Sequence, residues 1–183
     1  HCFLELHVEQ GASLYKNRIP VGVVTSIAGV SRFEIKVTGE ANHAGSTVME
    51  DRKDALVAAA RFVAQVPEIV AMYGNPFTVA TVGTMKVVPN SVNVIPGEAG
   101  FHLEIRDQDE KIMETIEQKL RECLDEICRE MGEEYSFNRF SYHEPAPMTE
   151  WVRDAVEASV RKLDIPYAKV PSGAFHDSLL MTT

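Results

Sequence analysis

The sequence predicts an α+β protein in which a βαββαβ unit is set between two segments of another domain. Three observations carry this. Strand-like alternation and helix-like periodicity follow one another in that order between residues 31 and 142. The stretch is flanked by the connectors "VGVVTSIAG" at 21–29 and "EPAP" at 144–147. Outside it lie a strand signal at 4–11 and a helix signal after Thr149. The order is that of the ferredoxin-like split unit, one sheet with two helices on one face. The expected domains are therefore 1–27, 28–143 and 144–183, the first and last belonging together.

In "LELHVEQG" (4–11), read as a strand, Leu4, Leu6 and Val8 share one face and Glu5, His7 and Glu9 the other. The apolar run at 21–29 reads as a crossing between domains. "SRFEIKVTGE" puts Phe33, Ile35 and Val37 on one face and Arg32, Glu34, Lys36 and Thr38 on the other, the signature of a half-buried strand. After the loop "ANHAGSTVME", Leu56, Ala59, Ala60, Phe62, Val63 and Val66 recur at helical spacing, and Pro67 is expected to break the helix. Strands follow at 77–89 and 98–107, an antiparallel pair joined through "NSVNVIPG". Ile112, Ile116, Leu120, Leu124 and Ile127 form the stripe of a helix over 109–132 that stops at Gly132. Residues 134–142 read as an edge or partly exposed strand. Thr149 is placed to cap the amphipathic helix "EWVRDAVEASVRKL".

Composition narrows the function classes. The 183 residues carry 18 Lys plus Arg against 27 Asp plus Glu, a net charge of −9. That balance argues against nucleic acid or an anionic membrane as partner, since both require clustered basic residues. No uncharged apolar run reaches the roughly 18 residues of a membrane span. Cys2, Cys123 and Cys128 are odd in number and lack metal-ligand spacing, which fits a reducing, cytoplasmic setting. The opening "HCFLEL" and closing "DSLLMTT" read as an internal piece of a longer chain.

Several side chains could carry chemistry. His7 is either a metal ligand or a sheet-end imidazole satisfied by hydrogen bonds, with Glu9 its partner or simply exposed. His43, between small residues in "ANHAGS", could donate to a developing oxyanion or be a solvent-facing turn residue. "PNSVNVIPG" offers two amides that serve either a ligand or a turn. Arg106 shares a face with Glu104 and His102, so it could clamp a carboxylate or form an ion pair with Glu104. "PSGAFHDS" ends in His176 and Asp177, which as neighbours on an extended segment point apart.

Together, "ELHVEQG", "GVVTSIAGVSRFEIKVTGEANHAGST", "PNSVNVIPG", "EIRDQD" and "SGAFHDS" resemble the hydantoinase/carbamoylase branch of the carboxypeptidase-like dimetal amidohydrolases, which includes N-carbamoyl-L-amino acid hydrolases, β-ureidopropionases and allantoate amidohydrolases. The resemblance spans essentially the whole chain. It implies an α/β catalytic domain holding two divalent metals, zinc or manganese, with a ferredoxin-like lid inserted in it that makes a homodimer. His7 would be a metal ligand and Gln10 and His176 would contact substrate. From the lid, His43 would stabilise the oxyanion while Asn93 and Arg106 hold the substrate carboxylate, all three serving the neighbouring subunit.

The implied reaction is metal-assisted hydrolysis of the carbamoyl C–N bond of an N-carbamoyl-L-amino acid, releasing ammonia and CO2. Alternatives are allantoate or ureidoglycolate hydrolysis, and a non-catalytic dimerisation fragment. The family's other metal ligands and its general base have no counterpart in residues 1–183, so one ligand of the set remains and the isolated chain is expected to be inactive. Three positions depart from the family pattern: Val48 for a usual Pro, Glu104 for a usual Asp, and Phe175 for a usual Gly. Val48 is expected to loosen its loop, and the Phe175 ring to occupy space beside the substrate.

Overall fold

A computed structural model describes residues 2–181. In chain order its elements are α1 (Ser13–Lys16), β1 (Val21–Ile27), β2 (Gly29–Thr38), α2 (Ala55–Tyr73), β3 (Val79–Val88), β4 (Glu98–Asp107), α3 (Glu110–Met131), β5 (Glu134–His143), β6 (Ala146–Pro147), α4 (Glu150–Lys162), β7 (Tyr167–Ser172) and α5 (Asp177–Leu180). Chain contacts separate two units, one of residues 31–106 and 111–142, the other of residues 1–30, 107–110 and 143–183.

The larger unit is a four-stranded sheet in the order β3-β4-β2-β5, covered by α2 and α3. This is the ferredoxin-like order. Alternation decides which face is covered. Phe33, Ile35 and Val37 of β2 and Phe101, Leu103 and Ile105 of β4 are 2% exposed or less, whereas Arg32, Lys36, His102, Glu104 and Arg106 line the opposite face. The helices meet this core with Ala55, Ala58, Ala59, Phe62 and Val66 of α2 and Met113, Ile116, Leu120, Leu124, Ile127 and Cys128 of α3. The Phe62 and Phe101 rings lie 5.6 Å apart. β3 and β4 pair antiparallel from Val79 opposite Arg106 to Val88 opposite Glu98. α3 ends at Gly132, whose φ of +70° suits a residue without a Cβ.

One expectation for this unit is corrected. Pro67 does not end α2, which runs on to Tyr73. Its ring is exposed, and Val66, Ile69 and Val70 on either side pack on the core, offsetting the lost backbone bond. By length and composition α2 would also pass for a membrane span, yet its Phe62 face is buried against the sheet.

The smaller unit holds a three-stranded sheet, β6-β1-β7. The run at 21–29 is therefore not a bare connector. β1 pairs parallel with β7 from Val21 opposite Tyr167 to Ile27 opposite Ser172, and antiparallel with the two residues of β6. Ile27, Ala146 and Leu179 form its apolar centre, with Val24, Met148 and Phe175 against them. Residues 107–110 group here, where the Gln108 side chain donates to the Ser172 carbonyl at 3.0 Å. Thr149 occupies the N-cap position of α4 but makes no side-chain cap bond. Residues 4–9 are not a strand: no neighbouring strand pairs with them among the described residues, and Leu4, Leu6 and Val8 are exposed. Without a ladder partner, alternation alone does not make a strand.

Candidate functional site

In the smaller unit the extended segment through Glu5 and His7 meets the turn that starts α5. One Glu5 oxygen accepts from the Ser178 backbone N–H at 3.0 Å and from its hydroxyl at 2.6 Å. His176, 7% exposed, has its Nε2 2.5 Å from the Ser172 hydroxyl and its Nδ1 3.8 Å from the other Glu5 oxygen. The His7 ring meets that of His176 edge-on, centroids 4.4 Å apart. Potential ligand atoms of Glu5, His7 and His176 all lie within 4.8 Å of one another.

Electrostatics suit a cation here. The Ser178 bonds hold the Glu5 carboxyl below its ordinary range. Burial, helped by His7 and opposed by Glu5, pulls His176 below the usual histidine value and so favours a neutral ring. His7 Nδ1 lies 2.7 Å from the Val8 carbonyl and donates to it, which leaves Nε2 as the ring nitrogen that could take a metal. Imidazole and carboxylate donors of this kind fit zinc or manganese.

Glu9 belongs to a different task. Its carboxylate accepts from the backbone N–H groups of Ser13, Leu14 and Tyr15 at 2.6, 3.0 and 3.4 Å, tying down the start of α1. Gln10 is exposed, at a φ of 53° that opens the bend before α1. Phe175 packs its ring against the small core and lies edge-on to His143 at 5.0 Å.

In the larger unit, His43 and Asn93 come from separate loops that are laced together. His43 forms an isolated β-bridge with Val94, Ala44 N–H donates to the Asn93 carbonyl at 2.9 Å, and Ile95 N–H donates to the Asn42 carbonyl at 2.8 Å. The His43 ring accepts at Nδ1 from the Gly45 N–H at 3.1 Å. A neutral ring so engaged carries its proton on Nε2, the donor an oxyanion needs. A Cβ at Gly45 would lie 3.1 Å from the ring, so a larger residue there would push the imidazole aside by a few tenths of an ångström. Ser91 donates to the Asn93 side-chain oxygen at 2.8 Å, orienting the amide with its nitrogen as the outward donor. Arg52 fastens the loop through the Ala44 and Thr47 carbonyls at 2.6 and 2.9 Å. Val48 is exposed, and the loop it was expected to loosen is fastened around it.

Arg106 stands elsewhere. It pairs across from Val79, whereas the Asn93 loop leaves the sheet at the Val88–Glu98 end. Eight residues at roughly 3.3 Å each put those strand positions about 26 Å apart. Convergence of Asn93 and Arg106 of one chain on one small carboxylate conflicts with that spacing.

Glu5, Ser172 and Ser178 were missed as site residues by sequence reasoning. The signal for Glu5 was its place on the same alternating face as His7; the serines carried none.

Similar proteins have been described. An N-carbamoyl-L-amino-acid amidohydrolase of Pseudomonas sp. (strain NS671) is 35% identical over 98% of this chain and 43% of its own length. A ureidoglycolate hydrolase of Oryza sativa subsp. japonica is 36% identical over 98% of this chain and 37% of its own. The crystal structure of a hydantoinase/carbamoylase family amidase from Burkholderia multivorans superposes with a TM-score of 0.89 at 36% identity, over 96% of this chain and 42% of that one. The chain thus spans about two fifths of such relatives. Residues 25–132, more than half of it, match the peptidase dimerisation domain. With a sheet and helix order that agrees, the chain belongs to the peptidase dimerisation domain family, in the form carried by hydantoinase/carbamoylase amidases.

Proposed function

We propose that the chain works within a dimetal amidohydrolase that cleaves the carbamoyl C–N bond of an N-carbamoyl-L-amino acid, releasing ammonia and CO2. The observation that carries this reading is the convergence of Glu5, His7 and His176 in the smaller unit; within the larger unit, two loops separately prepare His43 and Asn93 as donors. His7 would hold a divalent metal, with Glu5 and His176 next to it. Zinc or manganese, when bound, lowers the pKa of water so that hydroxide is available near neutral pH.

The chain's own residues do the rest. His176 and Gln10 contact the substrate. His43 donates from Nε2 to the carbonyl oxygen as negative charge grows there, and Asn93 adds a second donor. Arg106 holds the carboxylate. Given the strand distance between Asn93 and Arg106, a homodimer supplies them from two lids: His43 and Asn93 come from one subunit and Arg106 from the other. This departs from the simpler expectation that all three serve the neighbouring subunit together. The three free cysteines fit a cytoplasmic enzyme.

A polypeptide of the relatives' length carrying this chain tests the reading. Loaded with manganese, it is expected to release ammonia from an N-carbamoyl-L-amino acid and to stop when a chelator is added; activity on simple acyl amides alone would sink the assignment. Ureidoglycolate hydrolysis is the second reading, favoured by the rice relative, and allantoate belongs in the same panel. This chain by itself is expected to show no turnover, as it offers too few ligands for two metals.

A further inference from the structure

Glu104 is the hub of a three-residue charge cluster on the uncovered face of the larger sheet. One of its oxygens accepts from Arg106 Nε at 2.6 Å and the other from Arg32 Nε at 2.7 Å. β4 alternation puts Glu104 and Arg106 on one face two residues apart, and Arg32 reaches the same carboxylate from the neighbouring β2. The three side chains are 20 to 37% exposed, so water screens the cluster only in part. They line or adjoin a depression of about 290 Å³ that also includes Thr81, His102 and Phe140.

We propose that Glu104, shared with Arg32, is the positioning residue that aims Arg106 at the substrate carboxylate. The proposal rests on the reading of Arg106 given above. An arginine on an open sheet face can sample many rotamers, and a carboxylate on its Nε edge selects a few of them. Glu104 alone would neutralise Arg106. Sharing it with Arg32 divides one negative charge between two guanidinium groups, so the cluster keeps a net positive charge that a carboxylate guest can use. Burial pushes the Glu104 carboxyl up, but its bonds to Arg106 and Arg32 outweigh this and leave it below the ordinary value, hence ionised.

The test uses the full-length manganese enzyme, an N-carbamoyl-L-amino acid and its carboxamide analogue, with kcat and KM for each. Arg106→Ala is the reference and should abolish the preference for the acid. Glu104→Gln should then raise KM for the acid about tenfold, change kcat less than about threefold, and leave the carboxamide untouched. Glu104→Asp, which keeps the charge, should recover most of the preference, and Arg32→Ala should lose part of it. If Arg106→Ala collapses the preference while Glu104→Gln slows both substrates equally or neither, the positioning role is overturned and the reading of Arg106 stands. If Arg106→Ala leaves the preference intact, both fall.

Discussion

His43 and Glu133 show how single side chains here take their character from a few neighbours. The Gly45 N–H fixes which His43 nitrogen accepts, so its other nitrogen is ready to donate. On the proposed role as oxyanion donor, His43→Ala in the full-length protein should lower kcat about a hundred- to a thousandfold with little change in KM, read by steady-state ammonia release. Glu133 is the opposite case. It is 9% exposed, and neither carboxylate oxygen has a hydrogen-bond partner among the described residues. Burial, reinforced by Asp54 and opposed by Arg61, pushes its carboxyl up to about 7 from 4.5. The folded state therefore binds more protons than the unfolded one between these values, and stability falls as pH rises from 4.5 through about 7. Glu133→Gln removes that loss: it should stabilise the domain at pH 8 by on the order of 3 kcal/mol and change little at pH 4. Urea unfolding at both pH values checks this, and an equal effect at the two would refute it. Sequence reading could reach His43 through its small neighbours but not Glu133, whose burial arises only when the turn after α3 folds back toward α2.

Helix and strand signals were readable to the degree that each element buries a single face. β2, β4 and α3 follow their alternation or stripe residue by residue, because one side of each meets the core and the other water. β1 escaped because its sequence is an apolar run without alternation, which looks the same in a connector as in a strand. At residues 4–9 alternation was present without a partner strand, and only Glu5 and His7 of the polar face found tertiary neighbours. Local chemistry fixes α2 as well. Asp54 accepts from the Leu56 and Val57 N–H groups at 3.1 and 3.2 Å, satisfying donors that the first turn leaves open. Asp54→Ala should cost about 1 kcal/mol at pH 5 in chemical denaturation, and Asp54→Asn should retain most of that. Phe62, fully buried in the middle of α2, sets a larger scale: Phe62→Ala is expected to cost roughly 3 to 5 kcal/mol in the same measurement.

For the whole molecule, the exposed edge strand β3 bears on association. Val79, Met85 and Val88 on it, and Phe77 just before it, are 41 to 52% exposed, and β3 is the last strand on its side of the sheet. An unpaired edge with apolar side chains is a template for a second copy. Val79→Glu with Met85→Glu, in a chain already at −9, should shift a dimer to monomer in sedimentation equilibrium; a dimer that survives would place the interface on another surface. At its other side the sheet ends in β5, next to β2. There Gly29 lies so close to His143 and Pro145 that a Cβ would come within 2.9 Å of the His143 carbonyl oxygen. The chain thus leaves the βαββαβ unit beside the point where it began it. Two cut ends so near each other can be joined by a short turn, which makes the unit a cassette: removable, transplantable into another host, or circularly permutable without stretching any connection.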